Sequence, residues 1–319
     1  MSLYFHGTIK SQQEFNAEIA ADSLEKAMKG IGCDKNRIVQ ILTHCNNAQR
    51  QMIRTPYKTK YGKDLMHELK KELHGDLEDV ILGIMETPTK YDVLQLHKAV
   101  KGIGTKEIIL IEILSSRTNE EIAAIRNQYQ IDYGKSLEDD VIGDTSGALK
   151  CLLVSLIQGN RDQSHYVDNL KANQDAKRLY NDGEKKFGTT ESTFNSILVS
   201  QNLRQLDKVF EEYEKIAGHS IEKAIEKEFS GNTKNAFLAV VQCIQSKPKY
   251  FAIQLHNAMK GLGTRDNDLI RIIVSRSEID LQLIKDEFQR LYGKPLVDFV
   301  KAECSGAYRD ALVELIKGN

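Results

Sequence analysis

Apolar side chains recur along this chain at spacings of three and four. Leu281, Ile284, Phe288 and Leu291 make one such stripe, and Ile122, Ile125 and Tyr129 make another. That period places apolar groups on one face of an α-helix. Strand-like alternation bounded by turn signals is scarce. The Y-G-K-x-L corners at Tyr61, Tyr133 and Tyr292 read as a helix that stops on glycine and gives way to a new helix. Thr105, Thr189 and Thr264 stand just before apolar runs and are expected to cap them. Cys33 holds the same place in the first segment and caps poorly, so Asp34 is expected to take that role. About five short helices fit each stretch of roughly 70 residues, with connections of ordinary length. The expected fold is therefore all-α.

The pattern repeats. AMKGIGCD begins at Ala27, AVKGIGTK at Ala99 and AMKGLGTR at Ala258, with GEKKFGTT at Gly183 a looser relative. The second loop glycine of each copy is Gly32, Gly104, Gly188 or Gly263. Thirty positions on stands Gly62, Gly134, Gly218 or Gly293, and forty positions on an acid, Glu72, Asp144, Glu228 or Glu303. Three further on, each copy has another glycine: Gly75, Gly147, Gly231 and Gly306. No insertion breaks the register, and a fixed period of this kind marks a repeat architecture. Successive loop glycines lie 72, 84 and 75 residues apart, and the longest interval covers the polar stretch Gln158–Asn173. The expected division is a tail at 1–15, repeats at 16–87 and 88–160, a linker at 161–173, and repeats at 174–246 and 247–319. Repeats two and four both end in L-I-x-G-N, which suggests two pairs.

The loop K-G-x-G lacks acidic side chains, but its glycines let the backbone take positive φ and turn carbonyls toward one point. Calcium is a hard cation that accepts backbone carbonyls and carboxylates among its 6–8 oxygens. In repeat one the carbonyls of Met28, Gly30 and Gly32 are candidate ligands, with Glu72 returning to the loop through a segment of constant length. Three carbonyls and one bidentate carboxylate supply about five ligands and leave roughly two positions for other oxygens. Such a site is net positive, so a phosphate that fills it supplies both oxygen and charge. Lys29, Lys101 and Lys260 flank the loops, within reach of a headgroup. Ile31, Ile103, Phe187 and Leu262 precede the second loop glycine, where an apolar side chain can enter a membrane interface or tuck into local packing. In repeat three, Gly183, Lys186 and Gly188 are the candidate carbonyl donors beside Glu228.

Composition narrows the reading. The 319 residues carry a net charge of -1, with 41% hydrophobic and 28% charged residues. That balance gives no general attraction to nucleic acid or to anionic lipid, so an acidic surface must be met by local charge or a bound cation. The five cysteines include no C-x-x-C pair, which argues against a zinc site and a disulfide framework. No signal peptide and no membrane-spanning run is expected, which points to a cytoplasmic protein meeting membranes from one side.

At these loops and acids the chain resembles the annexin family from about Asn16 to Gly318. The resemblance implies four repeats of five helices packed into a slightly curved disc, with calcium and membrane at the convex face. It implies calcium-dependent binding to acidic phospholipids such as phosphatidylserine, recruitment to the inner face of membranes when calcium rises, a regulatory N-terminal tail, and no catalytic activity. The implied ligands are Met28, Gly30, Gly32 and Glu72, then Val100, Gly102, Gly104 and Asp144, then Met259, Gly261, Gly263 and Glu303. Lys35, Lys106 and Arg265 stand where the family often carries an acid for a secondary ion, so only primary sites are implied. Asp92, Glu112, Arg117 and Arg271 match polar positions of a central pore, or else form ion pairs between helices.

Two other classes compete. GEKKFGTT has Thr189 where a phosphate-binding loop needs lysine, and HELKKELH lacks the H-E-x-x-H spacing, so neither motif supports an enzyme. A helical-repeat scaffold for protein partners remains the alternative, with Leu3, Tyr4 and Phe5 of the tail as an anchor. The acid column speaks against it, since a scaffold has no need of one.

Overall fold

The structure is a computed structural model that describes residues 6–30, 32–102, 104–183, 191–261 and 263–319. Among them it has nineteen helices and no strand. Repeat one comprises α1 (Ala17–Met28), α2 (Lys35–Thr43), α3 (Asn47–Tyr61), α4 (Leu65–Glu72) and α5 (Asp76–Met85). Repeat two comprises α6 (Pro88–Lys101), α7 (Glu107–Ser116), α8 (Asn119–Tyr133), α9 (Leu137–Asp144) and α10 (Gly147–Ile157). Then come α11 (Asn169–Gly183), α12 (Glu191–Ser200), α13 (Leu203–Ala217), α14 (Ile221–Glu228) and the long α15 (Gly231–Met259). The chain ends with α16 (Asp266–Arg276), α17 (Leu281–Tyr292), α18 (Leu296–Glu303) and α19 (Gly306–Lys317). Helical geometry lapses inside α15 at Ser246, with φ -163° and ψ 101°. Pro248 follows two residues later and disfavours helix ahead of it. Counting α15 as two segments gives five helices per repeat.

Local chemistry sets these boundaries. The corner glycines Gly62, Gly134, Gly218 and Gly293 end their helices in the left-handed conformation, each N–H returning to a carbonyl four residues back. Asp34 caps α2, its carboxylate accepting the Arg37 N–H at 3.0 Å. Thr118 and Glu121 form a reciprocal capping box at α8. The threonines expected as caps behave differently. The N-caps of α7 and α16 are Lys106 and Arg265, neither with a side-chain cap bond, and Thr189 lies outside the described residues. The expected linker 161–173 is helical from Asn169, because Ala172, Asp175, Ala176 and Leu179 form a buried face.

Contacts divide the chain into two compact units. One combines Met1–Tyr91 with Phe251–Asn319, and the other is Asp92–Tyr250. In the first, α5 approaches α16 at Gly83, where a Cβ would lie 2.9 Å from the Tyr91 ring and 3.3 Å from Val274. A helical glycine costs about 1 kcal/mol relative to alanine, and here it permits the close crossing. Arg50 on α3 is buried in this unit and donates to the carbonyls of Ile84, Leu42 and Cys45 and to the Glu278 carboxylate. The tail residues join it too. Thr8 donates from its backbone to the Ser277 carbonyl at 2.7 Å and from its hydroxyl to the Leu315 carbonyl at 2.6 Å.

In the second unit Arg117 grips Asp92 through two bonds of 2.6 and 2.8 Å, both side chains buried. Burial alone lowers the Arg117 pKa, but the Asp92 charge and hydrogen bonds outweigh it and leave the guanidinium above its ordinary value. Arg271, in the first unit, bonds Asp268 at 3.1 Å. The linker of the second unit is anchored as the tail is in the first. Gln205 holds both backbone groups of Asp168 at 2.7 and 3.0 Å, and Gln49 holds those of Gln12 at 3.0 and 2.8 Å.

Candidate functional site

The K-G-x-G loops begin where a helix runs out. Met28, Val100 and Met259 bury their side chains, while Lys29, Lys101 and Lys260 are exposed. Each described loop is closed by one backbone bond in the same register. Asp34 N–H donates to the Ala27 carbonyl at 2.9 Å, Lys106 to Ala99 at 3.0 Å, and Arg265 to Ala258 at 2.8 Å. Between those clamps the glycines take conformations closed to other residues. Gly30 and Gly32 have φ of 122° and 93°, and Gly261 and Gly263 have 113° and 87°. Repeat two differs, because α6 runs through Lys101 and Gly102 is not at positive φ, while Gly104 has φ 78°. Among the described residues, none of the backbone hydrogen bonds outside helices ends on the candidate carbonyls of the first, second or fourth loop.

Each acid of the column is the last residue of an eight-residue helix: Glu72 on α4, Asp144 on α9, Glu228 on α14 and Glu303 on α18. The helix dipole disfavours a negative charge there by about 0.3–1 kcal/mol. All four copies thus place an acid against that preference. The next residue returns its N–H to a carbonyl four back, and the glycine three past the acid has φ between 55° and 65° in all four copies. That turn starts the following helix.

The segments that carry the acids pack near the loop or the helix that follows it. In repeat two the Thr105 hydroxyl, one residue past the loop, donates to the Asp144 carbonyl at 2.9 Å. In repeat one burial pushes the Cys33 thiol up, and the Glu72 carboxylate pushes it further. In repeat four Tyr308, five residues past Glu303, donates its hydroxyl to Asp266 at the start of α16, at 2.8 Å. In repeat three Phe229, beside Glu228, packs edge-on against Phe194 of α12 at 5.1 Å. Glu72 and Glu228 are half-buried, and Asp144 and Glu303 are exposed. The spacing in sequence did not show the acid's place at a helix terminus, nor the Thr105 and Tyr308 ties. The threonine of the loop motif was the available signal for the first tie.

The loop of repeat three is described only at its start. Gly183 is buried at the end of α11, where a Cβ would stand 3.3 Å from the Phe194 ring. In register it matches Ala27, Ala99 and Ala258, whose carbonyls close the other loops. Lys186, Phe187 and Gly188 lie outside the described residues, as do Ile31, Ile103 and Leu262 and the tail residues Leu3, Tyr4 and Phe5. Among the described residues no group of three or more His, Cys, Asp and Glu side chains is placed to hold a metal. A cage built of side chains is thus absent there, and the donor set that remains is carbonyls plus one carboxylate, which suits a hard cation. No described helix is long and apolar enough to cross a membrane.

Comparison with known proteins supplies the family. The annexin family model matches residues 19–84, 91–156, 174–240 and 250–315. Annexin A4 of Bos taurus is 51% identical over 98% of this chain and 98% of its own length. The solved structure of annexin III is 40% identical, covers 100% of both chains and superposes with a TM-score of 0.95. A crystal structure described as calcium-bound annexin (Sm)1 is 32% identical, covers 98% of this chain and 93% of its own, and has a TM-score of 0.84. This kinship supports calcium-dependent phospholipid binding in general. The chain, with its four matched repeats, belongs to the annexin family.

Proposed function

We propose that this protein binds acidic phospholipid membranes by using calcium to bridge its loops to lipid phosphate. The ligands are the carbonyls of Met28, Gly30 and Gly32 with Glu72, those of Val100, Gly102 and Gly104 with Asp144, and those of Met259, Gly261 and Gly263 with Glu303. Glu228 stands at the same helix terminus and serves repeat three. The observation that carries this reading is the acid column: four carboxylates at helix C-termini, against the dipole, with the Asp144 end tied by its carbonyl to Thr105 beside the second loop. Calcium bound there offsets the unfavourable charge and keeps positions open for phosphate oxygens. The exposed Lys29, Lys101 and Lys260 add attraction to an anionic surface, where each contributes about 1 kcal/mol. Ile31, Ile103, Phe187 and Leu262 enter the interface. The protein has no catalytic role in this reading and meets membranes at the cytoplasmic face.

Co-sedimentation with liposomes tests the proposal. Pelleting is expected with phosphatidylserine and calcium, and not with phosphatidylcholine or in a chelator. Equal pelleting with and without calcium would sink it.

A further inference from the structure

The two compact units solve one packing problem differently. In the first, the Arg50 guanidinium donates to the Cys45 carbonyl and is neutralised by Glu278. The Glu278 carboxylate also accepts the Asn47 N–H at the start of α3, at 2.9 and 3.0 Å. In the second unit the matching position to Arg50 is Leu206, and a guanidinium arrives instead from the linker. Arg161 donates to the Gln201 carbonyl at 2.8 Å, and Gln201 is the register counterpart of Cys45. The counterpart of Glu278 is Asn119, each fifteen positions past its repeat's second loop glycine. Its amide touches the Arg161 carbonyl at 2.8 Å, so it stands beside the arginine without neutralising it.

Arg161 is therefore a largely buried cation whose counter-ion position holds an amide. Among the described residues it forms no ion pair. Burial pushes its pKa down to about 10, with only the Cys243 thiol opposing. A buried charge of this kind is costly unless paired. The counterpart of the Asn47 N–H is that of Leu203, first residue of α13, and no hydrogen bond to it occurs among the described residues. Both groups line a cavity of about 470 Å³ within the second unit. Its wall carries Arg117, Arg161, Arg204 and Lys247 against Glu120 and Asp162. Three of these already have partners: Arg117 with Asp92, Asp162 with Ser164 and Asn202, and Glu120 with Gln163. The Ser115 hydroxyl, also in the wall, is buried and has no hydrogen-bond partner.

We propose that this cavity is a binding site for a small phosphate-type oxyanion, seated where the Glu278 carboxylate sits in the other unit and held by Arg161, the Leu203 N–H and Arg204. A helix N-terminus and a guanidinium together form a recurrent anion trap. The site is independent of the calcium loops, so it is testable with calcium removed.

The probe is inorganic phosphate at low ionic strength in a calcium chelator, followed by 31P line broadening and by thermal unfolding, with chloride at equal ionic strength as control. The wild-type chain is expected to broaden the phosphate line and to gain thermal stability with phosphate. Asn119→Glu supplies the missing carboxylate in place. It is expected to raise the unfolding temperature without phosphate and to abolish the phosphate response. Arg204→Ala, at an exposed position, is expected to weaken phosphate binding about tenfold while leaving the fold unchanged. Glycerophosphoserine in parallel separates the sources: tighter binding than phosphate assigns the site to a lipid headgroup, and weaker binding assigns it to a free phosphate. A phosphate response absent from the wild type, or unchanged in Asn119→Glu and Arg204→Ala, overturns the proposal.

Discussion

The loops depend on what single residues can do with their backbones. Gly261, at φ 113°, occupies a region that a Cβ makes expensive, although the space around it is open. Gly102 carries no such demand, and a Cβ there meets only ordinary contacts of 3.6 and 3.7 Å. In a calcium chelator Gly261→Ala should cost more than about 1 kcal/mol, while Gly102→Ala should stay within about 0.5 kcal/mol, by denaturant titration. Equal losses would show that the two loops share one conformation. The acids invite a paired prediction. Glu72→Gln and Glu303→Gln remove a negative charge from a helix C-terminus, so the calcium-free protein should be unchanged or slightly more stable. The calcium needed for half-maximal liposome pelleting should rise several-fold in each. A loss of calcium-free stability would mean that these carboxylates serve the fold and not an ion.

Helix ends carry most of the repeat's logic, and two of them hold a stacked pair. His97, one turn before the second loop, lies on Tyr133 with centroids 3.6 Å apart, and His256 lies on Tyr292 at 3.8 Å before the fourth. Burial lowers both histidine pKa values, and Lys101 and Lys260 lower them further. The folded protein thus releases these protons at a pH where the unfolded chain still holds them. Their contribution is constant above the unfolded value of about 6.5 and declines as pH falls from there to the folded values. Ring resonances of both should titrate below about 6.5, and His97→Gln should flatten the acid side of the stability profile. Titration at or above 6.5 would refute the burial argument. The element pattern itself was largely readable: corner glycines, the Asp34 cap and the five-helix count all follow from local chemistry. Thr105 was not, because its hydroxyl answers to the Asp144 carbonyl, thirty-nine residues away, and a cap forecast sees only neighbours. The surroundings of Gly183 were hidden in the same way. A glycine in a helix pressed against Phe194 looks, in sequence, like a glycine in a loop.

At the scale of the whole molecule, the first unit is assembled from both ends of the chain. Thr8 and Lys10 meet Asn319 through the Asn319 N–H at 3.3 Å and the Lys10 N–H at 2.6 Å, so the tail takes the role that a covalent linker plays in the other unit. A charged tie between the distant segments is Arg50 with Glu278, whose side chains are 2% and 27% exposed. Breaking a buried pair on one side leaves a charge without compensation, at about 3–5 kcal/mol. Glu278 is partly exposed, which places Glu278→Ala at about 3 kcal/mol or somewhat less. The loss also strips the Asn47 N–H of its acceptor, so Glu278→Gln should recover a part of it by hydrogen bonding without charge. Because Arg50 and Glu278 belong to one unit, thermal unfolding of Glu278→Ala should show an early transition for that unit, with the second unit melting near its wild-type temperature. Proteolysis during the first transition should then cut within residues 6–91 and 251–319 and spare 92–250. A single transition lowered as a whole would show instead that the two units unfold as one.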